Sequence, residues 1–285
     1  MDIIQRVQRE LISYSGHMAL YVRDFKGNTA SVCEDEPFET ASTIKSFILL
    51  DLYEQAASGL KDLEELLTVE EKFVVEGSGV LQSLKPGFSM SARNIAILMI
   101  IVSDNTATNV MIDYLGLEHI NETIKKYGFS NTVLHNPIDW EKYKNLGTST
   151  VKDYGEFFYR LHQGELVSKE ACEDMISIFS RQHYNSMLVG EFPPYYLAGE
   201  DSTVSDEEKI TVASKSGSMD ACRTDGGIIF TPKGDYVIAM FHKDFHDPLY
   251  HSKHESYIYG ARVSRMILER FLALGGMLNT IHDSQ

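Results

Sequence analysis

Ser91 to Gly116 reads SARNIAILMIIVSDNTATNVMIDYLG, and its two apolar runs, parted by three polar residues, decide the fold. Ile95 to Val102 is uniformly apolar, yet it falls well short of the roughly 20 residues that a membrane span needs. It therefore reads as a buried helix, predicted over Ser91–Ser103, with a second over Thr106–Tyr114. Ser103-Asp104-Asn105 sits where the two meet, and so short a polar trio among apolar helices needs hydrogen-bond partners. In its plainest reading the trio is a helix cap at a tight bend.

Working outward, helical periodicity continues on both sides. Ile44, Ile48, Leu49, Leu52 and Tyr53 line one face of a helix that starts at Ser42, and further helices are predicted over Leu117–Tyr127, Thr148–His162 and Ser168–Arg181. Strand formers occupy the two ends of the chain. HMALYVRDF at 17–25 turns through Lys26-Gly27-Asn28 into a second strand ending at Val32. Three more are predicted as Lys209–Ser214, Gly227–Thr231 and Asp235–His242. Ile3, Ile4, Val7 and Leu11 mark a first helix, and a last one runs from about Glu255 to Leu274. Strands so few cannot bury themselves in two separate sheets. The expected fold is α+β: a five-stranded antiparallel sheet flanked by the N- and C-terminal helices, plus an all-helical lobe. Residues 1–40 and 208–285 would form the discontinuous sheet domain, with 41–207 inserted in it. The acidic stretch GEDSTVSDEE, Gly199–Glu208, suits the crossing back.

The chain has 285 residues, and 26 Lys and Arg against 41 Asp and Glu leave a net charge of −15, the wrong sign for tracking a phosphate backbone. No nucleic-acid or membrane partner is expected. Cys33, Cys172 and Cys222 are too far apart for a CxxC knuckle, and read as free thiols. Asp2, Arg6, Arg9 and Glu10 break any apolar stretch near the start, so the sequence as written reads as cytoplasmic, and as secreted if a signal sequence has been left off.

Three constellations carry chemistry. Ser42-Thr43-Ile44-Lys45 puts a serine and a lysine on one face of a helix start, where a desolvated lysine can lose its proton and activate the serine. The same spacing recurs at Ser149-Thr150-Val151-Lys152, so this pattern alone is weak. Ser103-Asp104-Asn105 is the second. Lys215-Ser216-Gly217, after the strand KITVAS, is the third, where a cation, a hydroxyl and open backbone donors can hold an anionic group. All three in this order arise by chance at the level of roughly 1%.

With these residues in place the sequence resembles the class A serine β-lactamases and the wider penicillin-recognising serine hydrolases, whose signature is S-x-x-K, S-D-N and K-T-G. Here they are STIK at 42–45, SDN at 103–105 and KSG at 215–217, with Ser in place of Thr. GVLQSLKPGFSMSARNIAILMIIVSDNTATNVMIDYLG and DGGIIFTPKGDYVIAMF extend the likeness, which covers roughly Gly16 to Leu274. The resemblance implies acyl transfer from a β-lactam or other amide or ester to Ser42. Lys45, or a water held by Glu141, would act as base. Ser103 would return the proton to the leaving nitrogen, and the backbone N–H groups of Ser42 and Ser218 would hold the oxyanion. Asn105 and Asn145 would orient substrate and water, while Lys215 and Ser216 would meet a substrate carboxylate, with Arg223 as a further candidate. Asp104 is read as structural.

The loop carboxylate is the loosest match: Glu141 and Asn145 have the family's spacing in Asp139-Trp140-Glu141-Lys142-Tyr143-Lys144-Asn145, and Asp139 competes with Glu141. The readings left open are a cytoplasmic amidase or esterase on the same scaffold, and a penicillin-binding, sensor-like module that acylates without turnover. No cofactor and no metal are expected: His242, His246, His251 and His254 cluster in FHKDFHDPLYHSKHE without an HExxH or a cysteine among them.

Overall fold

A computed structural model describes residues 3–193 and 209–278; the stretch Gly199–Glu208 and the boundary at 208 lie outside them. Helix α1 (Ile3–Glu10) precedes the hairpin of β1 (His17–Asp24) and β2 (Thr29–Val32). Its turn is held by Asp24 Oδ1, which accepts from the N–H groups of Lys26 and Asn28 at 2.9 and 2.8 Å. Then come β3 (Phe38–Glu39), α2 (Lys45–Ala57), β4 (Leu66–Thr68), β5 (Ser89–Ser91), α3 (Ala92–Ile101), α4 (Asn105–Leu115) and α5 (Leu117–Lys126). β6 (Val133–Leu134), β7 (Gly147–Ser149), α6 (Val151–Gln163) and α7 (Lys169–Phe179) follow, and β8 (Thr211–Ser214), β9 (Gly217–Met219), β10 (Cys222–Thr231), β11 (Gly234–Lys243) and α8 (Glu255–Ala273) close the chain.

The main sheet runs in the order β2-β1-β11-β10-β8, so the five expected strands form its path. A sixth, β9, pairs with the start of β10 through Gly217↔Thr224 and Cys222↔Met219. β1 pairs with β11 from His17↔Lys243 to Asp24↔Tyr236, which joins the two ends of the sequence in the middle of the sheet. Alternation along the strands then sorts side chains into two cores. Leu20, Val22, Ile238 and Met240 face α1 and α8, with Val7, Ile267 and Phe271. Ala19, Tyr21, Val237, Ala239 and Phe241 face the helical side, with Tyr154, Phe157 and Phe158 of α6. With both faces covered, β11 is buried continuously from Tyr236 to His242. Close approach of α6 requires glycine at 155, where a Cβ would stand 2.3 Å from the Tyr21 ring.

Several boundaries differ from expectation, two of them for a cause visible in the pairing. β10 begins at Cys222, five residues before the predicted Gly227, because Cys222–Gly226 pairs with β11 and Cys222–Thr224 also with β9; its polar Thr224 and Asp225, both buried, hide the strand pattern. The helix expected from Thr148 begins at Val151, since Gly147–Ser149 pairs with β3 and β6 and Thr150 caps α6, accepting from Asp153 N–H at 3.1 Å. No described helix is long and apolar enough to cross a membrane.

Candidate active site

Ser42 lies in a single 3-10 turn, Ala41–Ile44, that runs into α2. The turn is tight: Ala41 adopts a left-handed φ of 44°, and Thr40 O accepts from Thr43 N–H, Thr43 Oγ1 and Thr224 Oγ1 at 3.1, 2.6 and 2.9 Å. Gly217 of β9 presses on it so closely that a Cβ there would stand 2.6 Å from Ser42 N. The strand carrying Ser218 is thus brought beside the backbone of Ser42. Ser42, Ser103, Ser216 and Ser218 share the wall of one cleft of about 490 Å³, a size suited to a small molecule. Tyr184, Tyr250 and Tyr257 line it as well, and no pattern in the sequence marked them.

Lys45, one helical turn beyond Ser42, is fully buried. Its Nζ contacts Ser103 O at 2.7 Å, Asn105 Oδ1 at 2.9 Å and Ser103 Oγ at 3.1 Å. Lys215, equally buried, reaches the same Ser103 Oγ at 3.1 Å and Ser216 O at 2.5 Å. Two amines thus bracket one hydroxyl. Burial, and then the charge of Lys215, push Lys45 well below its ordinary value. Burial also lowers Lys215 to about 7, against the opposing pull of Asp225. A neutral Lys45 has two N–H donors and one lone pair. The carbonyl oxygens of Ser103 and Asn105 can only accept, so they take the two donors and leave the lone pair for the Ser103 hydroxyl. Lys215 can then donate to that same oxygen.

Asp104 holds the frame: Oδ1 caps α4 by accepting from Ala107 N–H at 2.8 Å, and Oδ2 accepts from Val80 and Leu81 N–H at 2.6 and 2.8 Å. Ser103 pays for this bend with a left-handed φ of 53°. Asn105 Nδ2 donates to Glu76 O at 3.2 Å, and Ser216 Oγ donates to Tyr184 O at 3.2 Å.

Other candidate residues are placed less centrally. Glu141 is exposed on a turn, where its N–H donates to Asp139 Oδ1 at 3.2 Å. Asp139 pairs with Lys142 at 2.8 Å. Neither is among the residues that line the cleft, and nor is Asn145, whose Oδ1 is buried without a partner among the described residues. The loop is fixed instead at Ile138, whose N–H and C=O meet the Asn109 side-chain amide at 2.8 and 2.9 Å. Asn109 stands one turn after Asn105 on α4, a spacing that offered the only sequence hint of it. Arg223 touches the cleft but is 1% exposed. Its guanidinium donates to the backbone carbonyls of Met219, Cys222, Pro248 and Leu249. Ser149, the decoy serine, is buried and bonded to Thr132 Oγ1 at 2.7 Å. The late histidines go to separate tasks: His242 meets the Tyr14 hydroxyl, His251 pairs with Asp247, and His254 caps α8.

Known proteins share both sequence and architecture. The β-lactamase BRO-1 of Moraxella catarrhalis is 24% identical over 226 residues, 74% of this chain and 71% of that one. PBP-A is 30% identical with a TM-score of 0.81, covering 95% of this chain and 96% of its own; a variant of it has been solved as an acyl-enzyme complex with penicillin G. A β-lactamase from Sphaerobacter thermophilus is 25% identical with a TM-score of 0.81, covering 95% and 97%. The match to the family's own pattern runs from residue 2 to residue 271, through all three motifs that meet in the cleft, and the chain belongs to the β-lactamase enzyme family.

Proposed function

We propose that the protein is a serine hydrolase of the class A β-lactamase type, opening the cyclic amide of a β-lactam through an acyl-enzyme on Ser42. The observation that carries this reading is the relay in which Lys45 and Lys215 bracket Ser103 Oγ at 3.1 Å each, on the wall of the cleft that also exposes Ser42. The substrate lies where the lobe 41–207 meets the sheet unit of 1–40 and 208–285. Ser42 attacks the carbonyl carbon, and its proton passes to the neutral amine of Lys45, whose lone pair turns from the Ser103 hydroxyl to receive it. Charge on the carbonyl oxygen is met by the backbone N–H groups of Ser42 and Ser218. As the C–N bond breaks, Ser103 gives its proton to the leaving nitrogen and is resupplied from a lysine. Lys215 and the Ser216 hydroxyl bind the substrate carboxylate, and Asn105 orients the amide. Arg223 acts by holding the 248–249 backbone beside Tyr250.

Release of the acyl group needs a water, which Asn145 would orient, and a base, the role assigned to Glu141 with Asp139 as the competing choice. The exposure of Glu141 on its turn favours a second reading, in which the ester forms quickly and persists. Mass spectrometry of the protein over time with a penicillin separates the two. A transient adduct with accumulating product supports hydrolysis, whereas a lasting adduct supports a penicillin-binding module. With neither adduct nor product, the β-lactam assignment falls and an amide or ester of another class takes its place.

A further inference from the structure

Away from the cleft, three side chains of different chemistry converge at one end of the sheet. His17 opens β1, and Cys33 and Glu36 bracket the turn that leaves β2, closed by Glu36 N–H donating to Cys33 O at 3.1 Å. A ring nitrogen of His17, Cys33 Sγ and a Glu36 carboxylate oxygen all lie within 4.8 Å of one another. Cys33 holds a left-handed φ of 51°, a conformation that would suit glycine better, yet a thiol stands there.

The groups behind the trio orient it. Lys243 Nζ holds Glu36 Oε1 at 2.6 Å, while Oε2 faces His17 Nε2 at 2.7 Å. The His17 ring stacks on Phe38, 5.8 Å between centroids at 13°, and Lys243 lies over the same ring at 4.2 Å. The adjacent acids point elsewhere: Glu34 and Asp35 pair with Lys152 at 2.8 and 3.3 Å. The His17 and Glu36 side chains remain 37% and 34% exposed, which leaves an open approach from solvent.

We propose that His17, Cys33 and Glu36 bind a zinc-class divalent ion, with water completing a four-coordinate shell. A nitrogen, a sulfur and an oxygen donor together select a borderline-soft cation and discriminate against magnesium or calcium, which take oxygen ligands. Ligand atoms around tetrahedral zinc stand about 3.3–3.6 Å apart. The His17–Glu36 pair, 2.7 Å apart, therefore opens by at least about 0.6 Å and Cys33 turns inward, both side-chain movements. On binding, Cys33 releases its proton to solvent, and the His17–Glu36 hydrogen bond gives way to one metal bond from each residue. Lys243 stays on Glu36 Oε1, in the manner of outer groups that orient metal ligands. The site is independent of the reaction in the cleft.

The test is calorimetric titration of zinc sulfate into the reduced, chelator-treated full chain, with alkylation of Cys33 by iodoacetamide as a second readout on the unaltered protein. One equivalent should bind, zinc should slow Cys33 alkylation, and magnesium should do neither. Cys33→Ser and Glu36→Gln should each weaken zinc binding at least about tenfold, and Cys33 is exposed, so its variant leaves the core untouched. Absence of binding, unchanged alkylation, or equal affinity in Cys33→Ser overturns the proposal and assigns any zinc to surface groups such as His251 and Asp247.

Discussion

Replacing Ser103 by Ala removes the one oxygen that both buried amines contact, Lys45 and Lys215 at 3.1 Å each. The backbone conformation is retained, because Ala carries the same Cβ into the φ of 53°. Lys45 keeps Ser103 O and Asn105 Oδ1, and Lys215 keeps Ser216 O. The structural loss is therefore that of a hydroxyl between two partnered amines, about 1–3 kcal/mol, or about 2–4 °C in Tm for each kcal/mol. The chemical loss is larger. A positioned proton donor contributes about 10²–10⁴-fold, which at 1.36 kcal/mol per decade is about 3–5 kcal/mol. Stopped-flow acylation by a chromogenic cephalosporin, read beside a melting curve, separates the two. The expected result is a fold that melts a few degrees lower and acylates at least about a hundredfold more slowly. Acylation within about threefold of the parent rate would refute the relay and leave Ser103 a hinge between α3 and α4.

Ser42→Ala should abolish the penicillin adduct and change stability by no more than about 1 kcal/mol, whereas Ser149→Ala, which breaks the buried bond to Thr132, should lose about 1–3 kcal/mol and still acylate; mass spectra and urea melts check both. If Glu141 is the deacylating base, Glu141→Gln accumulates the Ser42 ester while Asp139→Asn turns over normally, and a Glu141→Gln variant that deacylates at the parent rate removes it from the mechanism. Lys215 titrates at about 7 and is charged below that value, so kcat/KM for a carboxylate-bearing β-lactam should fall above about pH 7, while that for its methyl ester should not. Asp225 favours the charged form of Lys215, so Asp225→Asn should move the alkaline limb to lower pH.

Much of this was legible in the sequence because the signals are periodic or compact. The strand formers of β1 and β11 and the unbroken apolar run of α3 each mark one buried element by themselves. STIK, SDN and KSG each place two or three functional groups within a single turn. The rest is non-local. The start of β10 is masked by buried polar residues, and only its pairing with β9 and β11 makes it a strand. Arg223 looks like a free cation in sequence, but backbone carbonyls from two segments surround it. Glu141 has the right spacing to Asn145, yet the loop is pinned at Ile138 by Asn109, and spacing along a loop does not determine which way a carboxylate faces. The His17, Cys33 and Glu36 grouping depends on a turn folding back on the first residue of β1, which no motif records.

The pairing of β1 with β11 also orders events on the ribosome. The strand at 17–24 emerges early, with only β2 to pair with, and its partner at 236–243 is made about 200 residues later, a delay of roughly 10–40 s at bacterial or eukaryotic elongation rates. A lone hairpin is marginal in water, and Met18 to Val22 would present an apolar edge throughout that interval. The helical segments between them have local contacts and can collapse first. Yield of soluble protein should therefore depend on how the nascent hairpin is sheltered, so a holdase chaperone acts on this one strand before the catalytic cleft exists, whereas slower translation lengthens its exposure.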